Sequence, residues 1–304
     1  MWFRNLQIYR FNQPFALKAE ELAEKMAEFA FEPCGNHDSS RQGWVAPLGR
    51  HGSDLVHATA GYIMVCARKQ QKILPAGAIN ELLEERLLQL EEREKRKPTS
   101  RERLALKEEI TFELLPRALT RSTLLFAYIA PKEGLLVVNA SSAKRAEELL
   151  TLLRETIGSV PVIPLATKNL PIQTMTHWLL HGTAPQGFTF GGECELRDLL
   201  EQSSVVTCRQ QNLVSQEINS LVKEGMSVRK LSLAWNDRME CVIDDKLGIH
   251  KLLFSDLVQE QANSESADDA AARFDIDFSI MALELSAFIL ALLAAFGGEV
   301  TETK

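Results

Sequence analysis

The stretch from residue 76 to residue 115 constrains the fold most. Ile79, Leu83, Leu87 and Leu90 recur at helical spacing among charged neighbours, and Leu106, Ile110 and Leu114 do so again after Pro98. Thr99-Ser100-Arg101-Glu102 is a capping box, so the second helix begins there, and Pro116 ends it. The simplest object is an antiparallel helical hairpin that turns near Lys97. Two helices with one narrow stripe each bury too little to stand alone, so the hairpin must project from a larger body or dock on a partner. Its turn carries Arg93, Lys95, Arg96, Lys97, Arg101 and Arg103.

The flanking segments read as α+β on both sides. Phe3 to Phe11 has strand-like spacing, Lys18 to Phe29 is helical with Leu22, Met26 and Phe29 on one face, and short strands fall near 44–46 and 62–67. After the hairpin, 123–129 and 135–139 form a strand pair around Lys132-Glu133-Gly134. Residues 142–156 form an amphipathic helix, and 160–165 a proline-punctuated edge strand. This pattern predicts one discontinuous α+β domain, 1–75 with 120–165, interrupted by a helical insertion at 76–119. Residues 166–304 read as a second α+β domain. It has helices at 174–180 and 215–224, and strands at 204–210, 227–235, 239–244 and 248–254. The polar stretch 259–272 reads as an exposed linker to a C-terminal apolar helix. That helix, Phe278 to Phe296, holds a single charge, Glu284, and approaches membrane-span length. Its acidic flanks, Asp275 and Asp277, and its alanine content favour a buried helix, at a subunit interface if not in the core.

The 304 residues carry a net charge of -7. The mean hides a split: residues 1–165 hold 23 basic and 21 acidic side chains, and 166–304 hold 11 and 20. Residues 93–107 alone carry seven basic side chains against two acidic ones. The net acidity excludes a uniformly basic packaging protein, and the asymmetry fits either a solvated helix pair, which charge alone favours, or a polyanion-facing surface in the first half. The five cysteines are odd in number and widely spaced with no Cys-x-x-Cys, which suits reduced thiols in a cytoplasm. The N-terminus shows no signal-peptide pattern.

Enzyme chemistry finds little support. There is no phosphate-binding Gly-x-x-x-x-Gly-Lys-Ser/Thr, no Gly-x-Gly-x-x-Gly after a strand and no Gly-x-Ser-x-Gly. His177 and His181 stand one helical turn apart but lack a third ligand. The pairs Asp244-Asp245 and Asp268-Asp269 lie in turn or linker contexts. The expectation is therefore no catalytic residue, no metal and no cofactor. The remaining signal is electrostatic: Arg68, Lys69 and Lys72, then Arg117 with Arg121, then Lys144 with Arg145. Each group also fits a solvated strand or helix end. No recognition-helix or zinc-finger signature accompanies them, so any DNA contact would be to phosphate and strongly salt-dependent.

Several runs are similar to the RdgC family of recombination-associated proteins. They include Trp2-Phe3-Arg4-Asn5-Leu6 with Tyr9-Arg10, the run from Cys66 to Pro75, and Leu114-Leu115-Pro116-Arg117-Ala118-Leu119-Thr120-Arg121. Further ones run from Ala140 to Glu147, from Ala184 to Phe188, over Gln211-Asn212-Leu213, from Leu231 to Trp235 and from Phe274 to Met281. The resemblance spans essentially the whole chain. It implies an α+β centre, a helical tip and an α+β base that close into a ring-shaped homodimer around duplex DNA. It implies sequence-independent binding, restraint of the RecA recombinase by occlusion of DNA, and a cytoplasmic, nucleoid-associated protein.

Carried to this sequence, the phosphate contacts are Arg68, Lys69, Lys72, Arg117, Arg121, Lys144, Arg145 and Arg209. The basic turn from Arg93 to Arg103 would touch DNA or form inter-subunit pairs with acids such as Glu91, Glu92 and Glu94. Two positions depart from the family. Leu119 stands where an aromatic residue is common at the tip, and Gln210, followed by Gln211, where a lysine is common at the base. Leu119 can still bury apolar surface, whereas Gln210 cannot release a counterion, so a weaker base contact is expected. The alternative reading is a regulator that touches the recombinase directly, with DNA contact secondary.

Overall fold

The computed structural model describes residues 2–198, 204–265, 267 and 269–300. They form eight α-helices and two antiparallel sheets. The first sheet holds β1 (Gln7–Phe11), β2 (Ser40–Val45), β3 (Val56–Thr59), β4 (Tyr62–Ile73), β5 (Leu119–Ala130), β6 (Leu135–Val138) and β7 (Val162–Pro164). Its strand order is β2-β4-β5-β6-β1-β7, with β3 also paired to β4. The proline-bearing β7 takes an edge, where a missing backbone donor costs no ladder bond. Helices α1 (Ala19–Ala27) and α4 (Ala143–Ile157) bury Leu22, Met26, Leu149, Leu150 and Leu153 against Tyr9, Trp44, Val65 and Ala127 of this sheet.

The hairpin is α2 (Ala76–Glu94) and α3 (Ser100–Leu114), and it leaves the sheet between β4 and β5. Those two strands pair without interruption from Ile63 opposite Ile129 to Ile73 opposite Leu119, so the long β4–β5 ribbon carries the helices at its end. The capping box forms as expected: the Thr99 hydroxyl accepts from the Glu102 N–H, and the Glu102 carboxylate accepts from the Thr99 N–H. The hairpin's own core is small, with Ile79, Leu83 and Ile110 buried.

The second sheet has the order β12-β11-β10-β8-β9, built from β8 (Phe188–Asp198), β9 (Val205–Arg209), β10 (Met226–Trp235), β11 (Met239–Asp244) and β12 (Ile249–Phe254). Helices α5 (Pro171–His181) and α6 (Gln216–Lys223) accompany it, burying Met175, Leu179, Ile218 and Val222. The strand β8 has no counterpart in the sequence reading, because Gly191-Gly192 breaks its alternation. The structure supplies the reason for the first glycine: a Cβ at Gly191 would lie 2.2 Å from the Ser232 hydroxyl on β10.

Two expectations need correction. The strand expected over Phe3–Phe11 starts at Gln7; residues 4–6 instead bond to β12, with Leu6 N–H donating to the Ile249 carbonyl. The expected linker at 259–272 is largely helical, with α7 (Asp256–Ser264) burying Val258 and Ala262 one turn apart. Helix α8 (Ala270–Ala295) then begins well before the apolar run, because the Asp269 carboxylate accepts from the N–H groups of Ala271 and Ala272. Asp268 lies outside the described residues.

At 26 residues, α8 is long and apolar enough to cross a membrane. In this fold one of its faces is core. Phe278 is in ring contact with Tyr62 and Tyr128 of the first sheet, and Phe288 with Phe188 and Trp235 of the second. Arg238 pairs with Glu284, the only charge in the apolar run. Gly297 and Gly298, both at positive φ, end the helix as expected, with the Gly298 N–H closing on the Leu293 carbonyl at 2.8 Å.

Candidate nucleic-acid interface

The β4–β5 register divides the basic residues that are adjacent in sequence. Side chains alternate between faces along a strand, and directly opposed residues share a face. Arg68, Gln70 and Lys72 therefore share one face with Leu124, Ser122 and Thr120. Lys69 and Gln71 share the other with Thr123 and Arg121. This second face is the one that α4 covers, and Lys69 Nζ pairs there with Glu148 at 2.8 Å.

On the first face the cations donate their hydrogen bonds to neutral groups, although the Asp38 carboxylate lies near Lys72. Arg68 donates to the Ser122 hydroxyl at 3.0 Å, and its guanidinium sits 4.7 Å from the centre of the Phe31 ring. Phe31 reaches that position because the chain there crosses β2 at Gly43, where a Cβ would lie 2.5 Å from the Phe31 Cα. Lys72 Nζ donates to the carbonyls of Asn36 and Leu115. Leu115 belongs to the turn Leu115–Arg117 between α3 and β5, so Lys72 ties that turn, with Arg117, to the ribbon.

The side chains of three of the candidates, Arg117, Arg121 and Lys144, are exposed and make no hydrogen bond or ion pair among the described residues. Lys144 and Arg145 stand in the first turn of α4, whose N-cap Ser142 accepts from the Arg145 N–H. Arg145 also reaches the Leu124 carbonyl of β5 at 3.3 Å. Arg209, on the edge strand β9, lies 3.7 Å from Glu193 and stays 74% exposed.

Arg209 lines a cleft of about 460 Å³ with Asn5, Ser141, Glu193, Lys230 and Lys251. The cleft connects the loop before α4 to the second sheet. Lys251 pairs with Glu193 at 2.6 Å and Lys230 with Glu195 at 2.7 Å. Sequence reasoning missed both lysines. Each lies within a strand rather than in a basic run, with only His250 beside Lys251 and Arg229 beside Lys230, and their convergence is made by the sheet. Gln210 takes a left-handed conformation just after β9, and the Gln211 N–H returns to the Gly192 carbonyl at 3.2 Å; both side chains are exposed.

At the hairpin turn, Arg96 spends its charge internally on Glu94 and Glu102, and Arg93 lies 3.5 Å from Glu94. The Arg96 guanidinium, with the Thr99 N–H and hydroxyl, holds the Glu102 carboxyl down to about 2. Lys95, Lys97, Arg101 and Arg103 have no carboxylate partner among the described residues. Leu119, at the foot of the hairpin, is 78% exposed, more than any other large apolar side chain described.

The other sequence candidates are built into the fold. The His177 and His181 rings lie 4.1 Å apart, but His181 Nδ1 bonds the His177 carbonyl. Asp244 accepts from the N–H groups of Lys246 and Gly248 and faces His250, and Asp245 pairs with Arg229. Burial pushes the Asp244 carboxyl up, but His250 and the two N–H groups together hold it below the usual value. No group of three or more His, Cys, Asp or Glu side chains is gathered around one point among the described residues.

Residues 1–299 match a family model described as "Putative exonuclease, RdgC". The recombination-associated protein RdgC of Aeromonas hydrophila subsp. hydrophila is 46% identical over 299 residues, covering 98% of this chain and 99% of that one. Its namesake in Tolumonas auensis is 43% identical over 302 residues, covering 99% of this chain and all of the relative. That of Psychromonas ingrahamii is 42% identical over 299 residues, 98% of this chain and 99% of the relative. The chain belongs to the RdgC family of recombination-associated proteins.

Proposed function

We propose that this protein binds duplex DNA through its phosphates, without reading sequence, as a ring-shaped homodimer that encircles the duplex and so limits the access of a RecA-type recombinase. The observation that carries the reading is the state of the cations on and beside the β4–β5 ribbon. The side chains of Arg117, Arg121 and Lys144 are exposed with no partner among the described residues, and Arg68, Lys72 and Arg145 donate their hydrogen bonds to neutral acceptors, with the Asp38 carboxylate also near Lys72. A cation positioned by neutral groups keeps its full charge for a phosphate, and each phosphate it neutralises releases a counterion. In the ring, the hairpin of 76–119 serves as the tip, with Leu119 offering apolar surface to its counterpart, and 166–304 serves as the base. The basic turn from Arg93 to Arg103 then lies at the tip contact. The net acidity of residues 166–304 would discourage DNA from the outside.

The protein acts by occupying DNA and leaves it intact. Duplex affinity measured against salt tests the binding. A steep fall of log K with log salt is expected, and the combined variant Arg117→Ala, Arg121→Ala, Lys144→Ala should flatten the slope by about 0.9 per charge removed. A flat dependence in the unaltered protein would sink the proposal. Strand-exchange assays separate occlusion from direct contact with the recombinase: excess duplex should relieve the inhibition, whereas full inhibition by the triple variant would favour direct contact. Nucleolytic loss of labelled duplex in Mg²⁺ would overturn the non-enzymatic reading.

A further inference from the structure

We propose that Cys194 and Cys208 form an oxidisable cross-strand pair that closes into a disulfide between β8 and β9. The two are separated by 13 residues in sequence, yet the antiparallel register sets them directly opposite one another. The ladder is unbroken around them, from Glu193 opposite Arg209 to Arg197 opposite Val205, so both side chains leave the sheet on one face. Directly opposed residues in such a ladder have Cα atoms about 4.5–5.5 Å apart. Disulfides span about 4.4–6.8 Å between Cα atoms, so closure needs no shift of the strands. The Cys194 thiol already contacts the Cys208 side chain.

The remaining cysteines have no such partner. Cys66 stands opposite Phe126 and Val45, and Cys241 opposite Leu233, both thiols buried. Cys34 is half-buried, its thiol donating to the Gln70 carbonyl.

The two members of the pair have different roles. Cys208 lies on the edge strand and is half-buried, so it meets the oxidant. Cys194 is fully buried; burial, and then the neighbouring Cys208, push its thiol up to about 12, so it reacts only with a sulfur brought against it. The oxidant is hydrogen peroxide. The Cys208 thiolate attacks one peroxide oxygen and becomes a sulfenic acid as hydroxide leaves. The Cys194 sulfur gives up its proton, attacks the Cys208 sulfur and displaces the second hydroxide, which departs as water. Two thiols are oxidised by two electrons and one peroxide is reduced to two waters. A dithiol reverses the bond by exchange. This inference does not depend on the DNA-binding proposal.

The test uses the full chain. The folded protein is treated with hydrogen peroxide, remaining thiols are alkylated in denaturant, and the peptides are mapped by mass spectrometry. Free thiols should fall from five by two, with the Cys194 and Cys208 peptides joined and dithiothreitol restoring all five. Cys34→Ser should leave the link intact. Cys208→Ser should abolish it and leave Cys194 alkylatable. Oxidation of Cys34 without a 194–208 link, or a link through Cys66 or Cys241, would overturn the proposal.

Discussion

Lys69 and Arg121 share one face of the β4–β5 ribbon and differ in what each has to spend. Lys69 is already neutralised by Glu148, whereas Arg121 has no partner among the described residues. For Lys69 to meet a phosphate it must first leave a carboxylate, and the net gain is small. Under the proposed function, Arg121→Ala should lower the slope of log K against log salt by about 0.9, and Lys69→Ala by clearly less. Duplex titrations at several salt concentrations on the two variants check this. Equal slopes would mean that the Glu148 pair opens at no cost. The sequence shows all eight candidate cations but ranks none of them. Arg68 and Lys69 are neighbours in the chain and project to opposite faces, which only strand register reveals. Lys230 and Lys251 join Arg209 around one cleft from three different strands, and no local pattern marks them.

The hairpin is the element most fully legible in the sequence, because its signals are local. Stripe spacing, the capping box and the flanking prolines act within a few residues of one another, and α2 and α3 form where they indicate. Thr99→Ala removes the cap acceptor and should cost about 1 kcal/mol of local stability, read as faster hydrogen exchange in the first turns of α3. The same turn should respond to pH. The Glu102 carboxyl is depressed in the folded protein, so its contribution is present above the usual value of 4.5 and is lost as pH falls toward about 2. Protection factors of the α3 amides, corrected for intrinsic exchange at each pH, should fall across that window, and Glu102→Gln should remove most of the dependence. Elements lacking local signals were harder to read. Strand β8 is hidden by Gly191-Gly192, whose reason lies on the neighbouring strand. Helix α7 is hidden by a polar composition that leaves only Val258 and Ala262 to mark its buried side.

At the scale of the whole molecule, α8 joins the two sheets. Its aromatic residues contact both, and the largest core cluster draws on Phe3, Tyr62 and Tyr128 as well as on Phe188, Trp235 and α8 itself. Phe278→Ala should therefore destabilise the entire fold, by about 3–5 kcal/mol, and lower the urea midpoint without a change in slope. The proposed ring makes a separate prediction. Leu119→Asp puts a charge on the most exposed large apolar side chain described, at the foot of the tip, and should weaken self-association in light scattering while changing the unfolding free energy of the separated protomer by no more than about 0.5 kcal/mol. A dimer unaffected by this change would remove Leu119 from the interface.

Residue order alone sets the parts that depend on neighbours in the chain. These are the hairpin and its cap, the amphipathic α1, α4 and α6, the three-strand run of β10, β11 and β12, the glycine stop after α8, and a surplus of positive charge in the first half. Whole-chain similarity added the family. Packing across strands and between the sheets settles which cations lack a carboxylate partner among the described residues, sets Cys194 opposite Cys208, and makes the apolar C-terminal helix a core element of both sheets. The physical reason is the same in each case: counter-charges, opposed thiols and buried faces are met across strands or between sheets, at separations that no local spacing encodes.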